Sequence, residues 1–341
     1  MKKLLIATLA VLLAMLFVLT ACAPKDDGKK DPAGDKKFTI GVSIQGTNNS
    51  WASSSYAHFK YVFEGYADQI ENLYYAECGY DTQKQIADIE DLLTKNIDAL
   101  IVQSTSETAL AGVIEKAHEQ GVKVVVYNGD CGTDAYDAFV NRDQQLTGET
   151  YAQYVCDRLE GNGNVVVIMG YPGSGYSNAV LAGVEAIVSK YPGIKVLGTE
   201  YAEYTPALSK QIIEGYFTKG EQIDGVICDG GLMGFGVLEA FADAGKTIPP
   251  TSCDDTLLFL KKAVELEFTD YVCLSSAAEL SKQCVDAVFE VLHGKTFAED
   301  LIIAPESVTG EEILQKLDTS LPESFWYFSK IPADRIADFY N

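Results

Sequence analysis

Beyond residue 37 the chain alternates short apolar runs with stretches of helical spacing. Phe38–Ile44 reads as a strand, Trp51–Ala67 as a helix and Leu73–Ala76 as a short strand. From Thr82 the segment QKQIADIEDLLTKN places Ile86, Ile89, Leu92 and Leu93 on one face, which predicts an amphipathic helix. Asp98–Gln103 is a continuous apolar strand, Ser106–Gln120 a helix closed by Gly121, and Val122–Tyr127 a strand again. The same rhythm restarts after residue 143. Strands are predicted at Val165–Met169, Ile194–Gly198, Gly225–Cys228 and Tyr271–Leu274. Helices are predicted near 144–159, 177–190, 206–219, 232–244, 256–266 and 277–292. Strands apolar on both faces, alternating with helices, imply parallel sheets covered on both sides. There are too many for one comfortable sheet, so two α/β lobes are expected. An internal echo agrees: Ile97–Val102 and Ile223–Cys228 are similar strands, each heading a helix that ends in glycine, at Gly121 and Gly245.

The first residues follow a different pattern. Lys2 and Lys3 precede an apolar run, Leu4–Leu19, broken only by Thr8, and the run closes on Leu19-Thr20-Ala21-Cys22. This reads as a secretory signal peptide over 1–21. Its Leu-x-Ala-Cys ending resembles the lipobox of bacterial lipoproteins, which makes Cys22 the lipidated residue and the mature N-terminus. Residues 22–37, from Ala23 onward APKDDGKKDPAGDKK, have too little apolar surface to order themselves and read as a flexible tether.

Composition narrows the function. The 341 residues are 47% hydrophobic, ordinary for a globular protein, and carry a formal net charge of −23. So acidic a chain lacks the basic surface that a phosphate backbone needs, which excludes nucleic acid as a partner. Seven cysteines remain besides Cys22, an odd number with no C-x-x-C spacing, and they read as buried free thiols.

Catalytic signatures fail on inspection. The loop after the first strand, GVSIQGTNNSW from Gly41, lacks G-x-G-x-x-G. Gly245-Lys246-Thr247 ends a helix instead of following a strand, so it is not a phosphate-binding loop. Gly175-Tyr176-Ser177-Asn178-Ala179 falls one residue short of a nucleophile elbow. The three histidines, His58, His118 and His293, all fall in predicted helices, and no H-E-x-x-H exists. No enzyme, cofactor or metal site is predicted. What remains is a recurring set of polar and aromatic residues at strand carboxyl ends, where ligands bind in open α/β sheets. The set includes Asn48, Asn49 and Trp51, then Asn128 and Asp130, then Tyr171, Ser174 and Tyr176, then Tyr201 and Tyr204, then Asp229, then Asp254 and Asp255. Short polar groups with flat aromatics suit a neutral, hydroxyl-rich ligand.

The opening FTIGVSIQGTNNSW, the stretch TQKQIADIEDLLTKNIDALIV, AHEQGVKVVV, VNRDQQLTG and the late HGK together resemble the sugar-binding, ribose-binding-protein-like branch of the type I periplasmic binding proteins, the substrate-binding components of ABC importers. The resemblance runs from about Phe38 to Pro305. It implies two Rossmann-like lobes with parallel sheets, joined by a three-segment hinge near Asn141–Asp143, Ser275–Ala277 and Ala304–Glu306, and closing on the ligand. The N-terminal lobe is then 38–141 plus 277–304, and the C-terminal lobe 142–276 plus 305–341. Matched to the family's ligand positions, the site comprises Asn49, Trp51, Asn128, Asp130, Asn178, Tyr204, Asp229, Asp254 and Ser275. Trp51 and Tyr204 flank a ring, and Asp143 is a hinge residue. The family's two sugar-gripping arginines fall on Gly129 and Asn178, and a second stacking aromatic falls on Ala52, so the arginines are absent at their usual places.

The expected function is therefore an extracellular lipoprotein, monomeric and anchored at Cys22 to the outer face of the cytoplasmic membrane. It captures a neutral, carbohydrate-like small molecule and delivers it to an ABC permease. The alternatives are a sensor of the same fold docking on a membrane receptor, or a binder of a nucleoside or polyol.

Overall fold

The computed structural model describes residues 36–47, 49–106, 108–275, 278–297 and 300–340. The apolar leader, Cys22, nearly all of the tether, Asn48, and the Ser276 and Ala277 of the second crossing lie outside them. Twelve strands assemble into two six-stranded sheets among the described residues. The first holds β1 (Phe38–Ile44), β2 (Ile70–Glu77), β3 (Ala99–Val102), β4 (Lys123–Tyr127), β5 (Ala138–Arg142) and β11 (Leu301–Ile303). The second holds β6 (Asn162–Met169), β7 (Gly193–Tyr201), β8 (Gly225–Cys228), β9 (Thr251–Asp254), β10 (Tyr271–Leu274) and β12 (Ser307–Thr309).

The order in the first sheet is β11-β5-β4-β3-β1-β2, all parallel, and in the second β12-β10-β9-β8-β6-β7, with only β12 antiparallel. Both sheets thus place their first strand between the second and the third. The echo in the sequence has a structural meaning, since Ile97–Val102 and Ile223–Cys228 contribute β3 and β8, the third strand of each sheet. Strands β5, β9, β11 and β12 were not anticipated. They are short, and three of them pair only along sheet borders or next to the crossings.

Helices cover both faces. In the first sheet, α1 (Ser50–Glu64) and α9 (Ala278–Leu292) pack Phe59, Phe63, Val285 and Val288 against Ile40, Ile101 and Val125. On the other face, α2 (Thr82–Leu93) and α3 (Ala111–Glu119) pack Ile89, Leu92 and Ile114 against Leu100, Val102 and Val124. Ile101 faces one layer while Leu100 and Val102 face the other, which is the period-two alternation of a strand buried on both sides. The second sheet repeats this with α4 (Gln144–Arg158) and α5 (Gly175–Val188) on one face, and α6 (Pro206–Thr218) and α7 (Gly231–Asp243) on the other. The α4–α5 contact is close because both helices present glycine there. A Cβ on Gly148 would lie 1.9 Å from the Val180 carbonyl oxygen, and one on Gly183 would lie 2.1 Å from that of Gln145.

The chain passes between the sheets after Arg142, after Ser275, and between Ile303 and Ser307. Hydrogen bonds tie these passages together. Asp143 N–H donates to the Ile303 carbonyl at 2.9 Å, Ser275 N–H to the Glu306 carbonyl at 2.8 Å, and Glu306 N–H to Ser275 Oγ at 2.8 Å. The seven described cysteines are buried free thiols, and the Sγ atoms of Cys253 and Cys273, in register on β9 and β10, approach to 3.4 Å.

The last segment does something its sequence did not suggest. After β12 and the short α10 (Gly310–Leu314), the chain runs beside α8 (Leu257–Glu265). There Leu257 N–H donates to the Phe325 carbonyl, and Phe328 N–H to Asp255 Oδ2 at 2.7 Å. It then reaches α1, under the first sheet. Trp326 Nε1 donates to the Ser50 carbonyl at 3.3 Å, Lys60 Nζ donates to the Phe339 carbonyl at 2.9 Å, and Arg335 pairs with Glu64 at 3.0 Å. Phe325, Ile336 and Phe339 share a buried cluster with Ala57 of α1 and with Leu257 and Leu260 of α8. The tail is a further physical link between the two halves.

Candidate ligand-binding cleft

Three of the residues matched in sequence converge at the carboxyl ends of the second sheet. Asp229 follows β8, is 3% exposed, and accepts a hydrogen bond from Gly170 N–H through Oδ2 at 3.2 Å. Its other oxygen, Oδ1, has no partner among the described residues. Burial pushes its pKa up to about 8, against the pull of the Gly170 bond. Asp254 ends β9 and caps a helix from outside, since its Oδ1 accepts from Gly231 N–H, the first residue of α7, at 2.7 Å. Burial raises its pKa to about 6. Tyr204 has φ 53° and lays its ring over two glycines. A Cβ on Gly170 would sit 2.2 Å from Tyr204 Cζ, and one on Gly230 would sit 3.0 Å from Cδ1, so glycine at both places makes room for this ring.

Arg142 joins them, and sequence matching missed it. It is the last residue of β5, 8% exposed, at the first crossing. Its Nη1 donates to the Ser275 carbonyl at 3.0 Å, and its guanidinium lies 5.1 Å from the centre of the Tyr176 ring. Burial alone would lower its pKa, but Tyr176, Tyr151, Asp254 and Tyr204 around it push it up and prevail. The family's usual arginine positions remain Gly129 and Asn178, and a guanidinium is supplied here from the end of β5. The signal available in sequence was its position in VNRDQQLTG, a lone basic residue at a predicted crossing.

Of the remaining matched residues, Asn49, Asp130, Ser275 and Asp143 bond to backbone groups. Asn49 is the N-cap of α1, accepting from Ala52 N–H at 2.8 Å, while its Nδ2 donates to Tyr80 OH at 2.7 Å. Trp51 is half-buried and stacks on Tyr127, with centroids 6.4 Å apart and planes at 18°. Asn128 takes φ 51°, in the left-handed region. Asp130 is exposed and closes its own turn, accepting from Cys131 and Gly132 N–H. Asn178 is exposed in the first turn of α5. Ser275 spends its hydroxyl, amide and carbonyl on the crossings, and Asp143 caps α4 through Leu146 N–H at 2.8 Å. Tyr80, also missed, stands on the loop after β2 with φ 64°, largely exposed, and Tyr171 is among the groups that raise its pKa after burial. Tyr171 in turn meets Tyr204 edge to face at 5.7 Å. Tyr80 lies between β2 and α2, at a strand end where the sequence offered no matched ligand position.

The arrangement offers one guanidinium, one carboxyl favouring its protonated form, one carboxylate and several phenols. That is a set of donors and acceptors suited to hydroxyl groups. No cluster of His, Cys, Asp and Glu suited to a metal occurs among the described residues, and no helix there is long and apolar enough to cross a membrane.

Known proteins agree with this architecture. The chain is 26% identical over 299 residues to the ribose import binding protein RbsB of Bacillus subtilis, covering 86% of this chain and 95% of that one. An ABC transporter solute binding protein from Bacillus halodurans C-125, solved with bound myo-inositol, superposes with a TM-score of 0.72 at 22% identity over 82% of this chain and 97% of that one. The fructose binding periplasmic domain of a hybrid two component system superposes with a TM-score of 0.70 at 20% identity over 83% and 94%. The family model for the periplasmic binding protein domain matches residues 40–296, and with two mostly parallel sheets and three crossings between them, the chain belongs to that family.

Proposed function

We propose that this protein is an exported sugar-binding protein of ABC import. It holds a neutral, hydroxyl-rich small molecule between the two sheets and presents the loaded form to a permease. The observation that carries this reading is the convergence of Asp229, Asp254, Tyr204 and Arg142 at the strand carboxyl ends, charges balanced and polar atoms unspent. The named ribose-binding relative supports it. Residues 38–141 plus 277–304 and 142–276 plus 305–341 are the two lobes. They rotate about the three crossings, with Asp143 at the hinge. Asn49, Trp51, Asn128, Asp130, Asn178 and Ser275 line or brace the cleft.

A thermal-shift panel of sugars, polyols, nucleosides and sugar phosphates tests the reading. A specific neutral ligand raises the melting temperature by mass action. Stabilisation by sugar phosphates alone would refute a neutral ligand. Small-angle scattering at saturating ligand should then show a smaller radius of gyration, and identical profiles would count against closure.

Export with lipidation at Cys22 completes the proposal, keeping a monomeric binder beside its membrane partner. Mass spectrometry of the mature N-terminus checks it, and Cys22→Ser should release or misprocess the protein. The same fold serves the fructose binding periplasmic domain of a hybrid two component system, so a second reading is a sensor that docks on a membrane receptor. Ligand-dependent co-purification of a permease, against that of a receptor kinase, separates the two.

A further inference from the structure

Most polar atoms near the strand ends of the second sheet have partners. Arg142 Nε and Asp229 Oδ1 do not, and neither do Asp255 Oδ1 and Thr256 Oγ1 just after β9; all are buried and unpartnered among the described residues. Buried donors and acceptors of this kind are rare in folded proteins, and a bound molecule or water that supplies the missing bond accounts for them. Arg142 has one arm fixed, because Nη1 is hung on the Ser275 carbonyl at the second crossing and the fork is seated against Tyr176. A guanidinium is planar, and its Nε edge presents parallel N–H groups, a geometry that matches two neighbouring oxygens. The charge around it is already opposed. Asp254 and Asp229 act electrostatically on Arg142 or accept its influence, so an anionic ligand brought to the guanidinium would also face these two carboxyl groups.

We propose that Arg142 is the specificity-determining residue of the cleft, its free Nε edge donating to a pair of adjacent hydroxyls on a neutral ring or polyol that Asp229 and Asp254 hold from the second sheet. This rests on the sugar-binding reading above. The residue also couples recognition to the crossings, because the side chain that reads the ligand is the one that joins β5 to Ser275.

The test is calorimetry on the purified full-length chain in mild detergent, with D-ribose, D-xylose, D-allose, myo-inositol and xylitol as probes. 2-Deoxy-D-ribose and a monodeoxy-inositol serve as hydroxyl-deleted partners, and D-glucuronate against D-glucose as the charged comparison. Arg142→Lys keeps the charge and loses the fork; Arg142→Gln loses the charge. For the probe that the parent binds, both variants should weaken affinity roughly ten- to a hundredfold, the range for a hydrogen bond to a charged group. The penalty for deleting the contacted hydroxyl should shrink in both variants, a change that a merely structural arginine would not produce. Unchanged affinity and an unchanged deoxy penalty in folded variants overturn the proposal while leaving the cleft's function intact. Loss of cooperative melting in both variants overturns it too, by making Arg142 a structural anchor. Preference of the parent for D-glucuronate overturns the neutral ligand class. A parent that takes none of the neutral probes brings down the sugar-binding reading itself, and this proposal with it.

Discussion

His58 Nε2 and Ser329 Oγ share a hydrogen bond of 3.0 Å that joins the middle of α1 to the last stretch of the chain. The imidazole is fully buried, its Nδ1 lies 2.7 Å from the Ser54 carbonyl, and Ser54 Oγ meets Tyr340 OH at 2.8 Å. A segment that began as the continuation of the second sheet thus ends on a helix of the first.

Removing residues 322–341 should therefore cost more than a loose terminus would. The deletion strips Phe325, Ile331, Ile336 and Phe339 from a shared apolar cluster, and each buried side chain of this size is worth about 1.5–3 kcal/mol. A large drop in the ligand-free melting temperature is expected, together with a wider range of opening in small-angle scattering. A truncated protein that melts like the parent would show that the tail is dispensable.

Opposing pH effects are built into the fold. Burial, the largest cause, with Lys330 adding and the Ser54 carbonyl opposing, lowers the His58 pKa to about 4. Its folded value lies below its unfolded one, so the stability it contributes is full above about pH 6.5 and is lost as pH falls toward 4. Asp229 and Asp255 are raised by burial to about 8, above their unfolded value, so they take up protons on folding and weaken the fold as pH rises from about 4 to 8. Melting curves should show His58→Gln less sensitive than the parent between pH 6.5 and 4, and Asp229→Asn less sensitive between pH 5 and 8. Parallel pH profiles for parent and variants would contradict both assignments.

Gly170→Ala tests the seating of Tyr204. The added Cβ would come within 2.2 Å of the ring, so the ring must leave its place. Overpacking of this kind costs about 1–3 kcal/mol of stability. Ligand affinity should fall as well, and Tyr204→Ala in the same background should restore the stability without the affinity. Recovery of neither would mean that the strain lies elsewhere.

Trp51 has a packing duty alongside any contact with ligand. Its ring stacks on Tyr127, whose hydroxyl shares a 2.5 Å hydrogen bond with Ser55. Trp51→Phe should keep stability and binding, while Trp51→Ala should lose about 2 kcal/mol of stability, modest because the ring is only half-buried. An Ala variant that melts like the parent would place Trp51 outside the core.

Local pattern was sufficient for the architecture. Continuous apolar runs such as Ala99–Val102 can be satisfied only with a helix on each face, and four-residue strands alternating with amphipathic helices leave few options besides parallel sheets. For that reason the first, third and eighth strands and nearly every helix were legible, as were the two lobes and the carboxyl-end location of Asp229, Asp254 and Tyr204. The partners of those residues were not legible, because they depend on distances between segments far apart in the chain. Position matching assigns Asn49, Asp130 and Ser275 to the ligand, yet each spends hydrogen-bonding groups on nearby backbone. Whether a short polar side chain serves a helix cap, a turn or a solute is decided by which unsatisfied amide lies closest. Arg142 shows the converse. Nothing about VNRDQQLTG says that its arginine is buried. Only the convergence of three crossings brings Ser275, Tyr176 and Asp254 around it, so that a charge that would otherwise stay in water is held inside by a carbonyl, a ring and a carboxylate.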